Sequence, residues 1–212
     1  MATGDYTSLA NLKDFCEIPA SDTTRDIWLN TMIPVISRAI DRHCHRVFYP
    51  VTKSRVYDYQ TSHKLFLKDD LQSCTQILHG ASRAEVLPTS SYFLYPEIGP
   101  PYQWIEISES STYVLRWSTL TPQQSIQVDG VWGYLENGST PNGIGWACHA
   151  WINYLYKLGK NAGIQSTTIG DYTVSYNNVL AALNAGPPNE VAFVLDSFVR
   201  RSNFATNDRK RG

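Results

Sequence analysis

Two hydrophobic spacings divide this chain, one near 3.6 residues at both ends and one of two residues between them. Leu9, Leu12 and Phe15 repeat at every third position, which predicts a short helix over residues 8–16, ended by Pro19. A second helix is expected from the cap-forming residues 21–24, with Asp26 at its positive end. Its apolar face reads Ile27, Ile33, Ile36, Ile40, Cys44 and Val47, and Arg38, Asp41, Arg42 and Arg46 fall on the wet side. Pro34 lies inside it and predicts a kink or a split, because proline has no N–H and crowds the preceding turn.

From about residue 51 the pattern becomes alternating. Strands are expected at residues 55–59, 64–68, 74–78, 91–95, 104–107, 113–117 and 126–132, separated by Gly and Pro signals such as Gly99-Pro100-Pro101. Helical spacing returns after Thr140, the expected N-cap, with Pro141 at the first helical position. Ile144, Ala147, Cys148, Trp151, Leu155 and Leu158 form its buried stripe, and Gly159 and Gly163 mark its end. An extended segment over 167–176 and one or two helical turns at 179–183 come next. Pro187-Pro188 then opens a last helix with Val191, Val194, Leu195 and Phe198 on one face.

The expected class is therefore α+β: a helical bundle from the N- and C-terminal helices, carrying an inserted antiparallel β sandwich or barrel-like module. The boundaries predicted are residues 1–50 with 138–199 for the helical domain, 51–137 for the β module and 200–212 for a basic flexible tail. Residues 128–134, Val-Asp-Gly-Val-Trp-Gly-Tyr, join the β insertion to the third helix. Asp129, Gly130, Trp132, Gly133 and Pro141 are the candidate junction residues. Because Val128 and Val131 cannot share a face, a bulge or twist is expected at Asp129-Gly130, with Gly133 letting the chain leave the sheet.

Composition narrows the function. Charged residues are 17% of the 212, against about 25% in ordinary soluble domains, and Tyr, Trp and small polar residues fill the gap. Aromatics with polar tips suit protein interfaces, and they equally suit a β-rich fold. Arg200, Arg201, Arg209, Lys210 and Arg211 face Asp208 alone, a net of +4 on a chain of net −1, so the first 199 residues carry −5. A basic tail on an acidic body speaks against whole-domain nucleic-acid binding. It suits either a solvated end or a segment that seeks an acidic surface.

The chemistry-bearing candidates are few. Cys16, Cys44, Cys74 and Cys148 lie far apart with no metal or redox spacing, and the reducing cytoplasm is the expected compartment. His43-Cys44-His45 is the most ligand-like cluster, but adjacent helical residues diverge by about 100° and do not converge on one ion. Asp69-Asp70 could pair for acid–base work, and a solvated turn is the plainer reading. No nucleophile elbow, phosphate loop, secretion signal or membrane-length apolar run is present, and neither cofactor nor metal is expected.

In order and spacing, residues 6–160 resemble the head–tail connector (adaptor) proteins of long-tailed bacteriophages, in the longer form with a β insertion. The residues that carry the resemblance are Tyr6–Phe15, the helix from Asp26 to Phe48, Leu65–Leu71 with Ile77, Tyr92-Phe93-Leu94-Tyr95-Pro96, and 126–134 followed by Pro141 and Ile144 to Ala147. Pro34 and the long segment after Gly163 depart from that pattern. The resemblance implies a non-enzymatic virion protein at the head–tail junction, assembled in the host cytoplasm. It implies a homo-oligomeric, dodecameric ring beneath the portal protein that extends the DNA channel and carries the stopper or tail-completion protein. DNA would pass the lumen without specific binding, and no membrane is involved. Phe198, Arg200, Arg201, Phe204, Arg209, Lys210 and Arg211 are the candidate portal contacts. A stopper or tail-completion ring protein is the alternative. A more remote one is a β-sandwich ligand-binding module with Trp104, Trp117 and Trp132 on its ligand face.

Overall fold

The computed structural model describes residues 4–58, 63–108, 123–160, 166–169, 172–175 and 179–200. Along the chain run α1 (Leu9–Phe15), α2 (Asp26–Cys44), β1 (Val51–Tyr57), β2 (Lys64–His79), β3 (Glu85–Val86), β4 (Tyr92–Tyr95), β5 (Tyr102–Ile107) and β6 (Ile126–Trp132). Then come α3 (Asn142–Lys160), β7 (Ser166–Ile169), β8 (Tyr172–Ser175), α4 (Val179–Ala185) and α5 (Asn189–Asp196). The class is α+β, and the described strands pair antiparallel. Contacts divide the chain into two compact units, residues 1–45 with 141–212, and residues 46–140. The strand expected at 113–117, with Trp117, lies outside the described residues, as does Gly163.

In the helical unit, Leu29, Ile33, Ile36, Ile40 and Cys44 of α2 are buried at helical spacing. So are Ile144, Cys148, Trp151, Ile152 and Leu155 of α3, and Val191 and Leu195 of α5. Ser8 caps α1, its hydroxyl accepting from the Asn11 N–H at 3.2 Å. Lys13 of α1 is buried and meets Asp26 at 2.8 Å.

Several expectations for α2 are corrected. The helix is not split at Pro34, which sits on its exposed face. The carbonyl it leaves without a helical donor belongs to Asn30, itself an exposed residue. Ile27 is not in the core but 87% exposed, because the buried stripe of α2 begins two residues later at Leu29. His45 takes a left-handed conformation (φ 52°) and ends the helix, so Val47 and Arg46 are not on it. Asp41 is not wet either. Its side chain is mostly covered, and burial raises its carboxyl to about 6 against lowering contributions from the Tyr6 hydroxyl and Arg38. Thr140 does not cap α3; its hydroxyl donates to the Phe48 carbonyl at 2.6 Å. Gly159 lies within α3 rather than ending it.

In the second unit, described strands form one six-stranded sheet in the order β1-β6-β2-β5-β4, with β3 on the end of β2. β6 alternates strictly: Ile126, Val128, Gly130 and Trp132 are buried, and Gln127, Asp129 and Val131 are half-covered. Leu65, Leu71, Ile77, Ile105 and Ile107 complete the same core. β2 replaces the two separate strands expected at 64–68 and 74–78. Its first half pairs with β5 and its second with β6, so the 16 residues serve two neighbours in turn.

The bulge expected at Asp129-Gly130 is instead on the facing strand. β6 pairs with β1 in unbroken register, while β2 steps two residues for one between Leu71 and Ser73, and again between Cys74 and Gln76. Two extra residues leave the side-chain parity of β2 unchanged, so Leu71 and Ile77 both point into the core. Gly130 stands between the two steps. A Cβ there would lie 2.1 Å from the Ser73 carbonyl oxygen, so only glycine admits this approach.

Candidate functional site

Within the sheet unit, the entering and leaving segments of chain are clasped together. The Tyr134 N–H donates to the Val47 carbonyl at 2.7 Å, and the Gly133 N–H to the Asp70 carbonyl at 2.8 Å. Gly133 has φ 133° and would carry a Cβ only 2.3 Å from the Tyr49 carbonyl oxygen. Its own carbonyl accepts from Gln72 Nε2 at 2.7 Å. The chain thus leaves the sheet at Gly133 because that residue alone tolerates both the dihedral and the contact.

A charge pair sits beneath this clasp. Asp70 is 3% exposed, and its carboxylate faces Arg46 Nε at 3.5 Å. The Arg46 guanidinium lies 4.4 Å from the centroid of the Tyr134 ring, whose edge contact with Phe48 spans 5.9 Å. Burial, then the nearby Glu136 carboxylate, pushes the Tyr134 phenol up. Asp69-Asp70 is therefore no solvated turn. It lies inside β2, with Asp70 buried and Asp69 half-exposed against Arg55 and Lys53. Burial lowers the Lys53 ammonium, partly opposed by Asp69.

The remaining junction residues have separate tasks. Asp129 accepts from Gln76 Nε2 at 2.7 Å and Gln127 Nε2 at 2.8 Å. Burial raises its carboxyl, but hydrogen bonds from Ser54, Gln76 and Gln127 together hold it below the ordinary carboxylate value. Trp132 is 1% exposed, and its indole N–H donates to the Lys53 carbonyl at 2.9 Å. Pro141, in the helical unit, starts α3 by offering its carbonyl to the Ile144 N–H at 3.0 Å.

The sequence candidates for chemistry are dispersed. His43 Nε2 meets Asp196 at 3.1 Å, the buried Cys44 thiol donates to the Leu195 carbonyl at 3.7 Å, and His45 is exposed beyond the helix end. Among the described residues no three His, Cys, Asp or Glu side chains are grouped to hold a metal ion. No described helix is long and apolar enough to cross a membrane. Of the tryptophans expected on a ligand face, Trp132 is core, Trp104 is half-buried and stacks flat on Tyr95 at 5.4 Å with Phe66 at 6.5 Å, and Trp117 lies outside the described residues.

Of the candidate partner contacts, Phe198 packs on Gly143 and Val194 of its own unit, since a Cβ at Gly143 would lie 3.0 Å from its ring. The Arg200 N–H donates to the Cys44 carbonyl at 2.9 Å. Arg201, Phe204, Arg209, Lys210 and Arg211 lie outside the described residues.

The Arg46–Asp70–Tyr134 grouping escaped sequence reading. No spacing marks it in the sequence, because Asp70 is one of several polar residues of β2 and stands next to the core residue Leu71.

No family model and no curated protein sequence matches the chain. Solved structures do. A chain of the neck of an empty gene transfer agent (GTA) particle, computed with C6 symmetry, is 14% identical with a TM-score of 0.54, and the alignment covers 93% of this chain and 92% of that one. A chain of the virion of a native GTA particle is 13% identical with a TM-score of 0.47, over 88% of this chain and 95% of that one. Over 93% of its length, this chain is similar in fold to a chain from the neck of a GTA particle.

Proposed function

We propose that the protein is a structural, non-catalytic component of a phage-like neck: a head–tail connector (adaptor) whose copies form a ring beneath the portal. In this reading the ring extends the DNA channel and presents a platform to the stopper or tail-completion protein. The observation that carries it is the likeness to a neck chain over nearly the whole of both chains. The layout of helices around an inserted antiparallel sheet supports it, as does the acidic first 199 residues, which suit a lumen where DNA phosphates must not stick.

The helical unit is the ring-forming part, and the sheet unit, held at its base by Arg46, Asp70 and Gly133, is the module it carries. Residues Arg200, Arg201, Arg209, Lys210 and Arg211 dock on an acidic portal surface, with Phe198 and Phe204 as apolar contacts. Electron cryo-microscopy of particles lacking this chain tests the reading. Filled heads without attached tails are expected; particles with intact necks and tails would overturn it. Removal of residues 201–212 should weaken portal binding at physiological salt, and unchanged binding would sink the docking assignment alone.

A further inference from the structure

The helical unit carries a knob and a notch that one molecule cannot bring together. Phe193 of α5 is 82% exposed, with Glu190 one turn before it on the same side of the helix. Arg25, Trp28, Tyr156 and Gly159 line a small open notch where α2 starts and α3 ends, with Trp28 and Tyr156 tilted at 6.1 Å. Ile27, also exposed, stands beside it on α2.

The two features sit at opposite ends of the α2–α3 pair. α5 is held where α2 ends, through Cys44 to Leu195 and His43 to Asp196, and where α3 begins, through Val194 beside Gly143. Each long helix has 19 residues, so knob and notch are separated by roughly 28 Å of helix. A copy therefore cannot fill its own notch, whereas a neighbour placed head to tail can. The charges match as well: Arg25 and Glu190 are both exposed and have no ion pair among the described residues. Each stands three positions before an aromatic ring, cation with Trp28 and anion with Phe193.

We propose that Phe193 of one copy enters the Arg25–Trp28–Tyr156–Gly159 notch of the next, with Glu190 against Arg25, as the head-to-tail contact of the ring. This rests on the ring reading above. Such a contact is heterologous, using two different patches, which is the geometry that closes a ring.

Sedimentation velocity of the full chain over a concentration series tests it. The parent chain should self-associate, and Phe193→Ala should weaken association about 30-fold, as for an anchoring aromatic side chain. Arg25→Glu and Glu190→Arg should each weaken it several-fold, and the doubly reversed variant should recover it. All three residues are exposed, and circular dichroism checks that the variants fold. A parent that stays monomeric at its highest soluble concentration overturns the contact. So does Phe193→Ala associating like the parent, or a double reversal no better than the single ones. Association that survives Phe193→Ala leaves the ring reading standing, because copies would then meet elsewhere. A neck complete without this chain removes the ring reading whatever sedimentation gives.

Discussion

Replacing Arg46 by Met is the sharpest probe of how the inserted sheet is held at its base. The methionine keeps most of the volume and removes the charge. Asp70, whose side chain is 2% exposed, then loses the guanidinium 3.5 Å away. Removing one partner of a buried pair costs up to about 3–5 kcal/mol, because the other charge stays desolvated, and the further interactions of Asp70 offset part of that here. The guanidinium over Tyr134 adds roughly 1 kcal/mol to the loss. Asp70→Leu alone should cost less, since Arg46 keeps 13% of its side chain in solvent. The Arg46→Met/Asp70→Leu pair should then recover at least about 2 kcal/mol relative to the sum of the single changes. Urea unfolding followed by tryptophan fluorescence reads all four proteins, because Trp132 lies in the affected core. A cost under about 1 kcal/mol for Arg46→Met, or strictly additive single changes, would refute a buried pair that fixes the clasp.

Three further outcomes are expected. Gly130→Ala should destabilise by about 3 kcal/mol or more, since the new Cβ meets backbone oxygen at 2.1 Å, and thermal unfolding unchanged from the parent would contradict it. Asp41 is raised from 3.8 to about 6 in the fold, so the folded state binds more protons than the unfolded one across that interval. Its contribution is therefore full below pH 4 and lost as pH rises through 6; Asp41→Asn should remove this slope, and a slope left intact in pH-dependent urea midpoints would disprove it. Pro34→Ala should stabilise by about 1–3 kcal/mol, because the helix is already continuous and the new N–H can reach the Asn30 carbonyl; a lower melting temperature would show that proline does something else there.

How far the sequence spoke depended on the range of the interactions concerned. Helical and alternating spacings are local, and α1, α3, α5 and β6 stand close to where those spacings put them. Ile27 falls outside the core because two overlapping stripes fit α2, and the packing of α2 against the other helices of its unit selects the one through Leu29 and Ile33. Pro34 does not split α2, because it and Asn30 both lie on the exposed face. The bulge was assigned to the wrong strand because register belongs to a pair: Asp129-Gly130 looked irregular, but the extra residues are Gln72 and Thr75 opposite. Asp70 was hardest to read. Its partners Arg46 and Tyr134 are 24 and 64 positions away in sequence, and no spacing rule joins them.

The clasp between Val47 and Tyr134 has a mechanical consequence. Tension pulled along the backbone enters the sheet unit near Arg46 and leaves near Thr140, so it meets at the hydrogen bonds linking these segments before reaching any other strand. Load is shunted across the base, and the apolar interior behind it goes unstressed while those few bonds hold. In the neck role proposed above, this chain would meet such pulls first at the Tyr134–Val47 bond, beside Gly133, where no other residue fits.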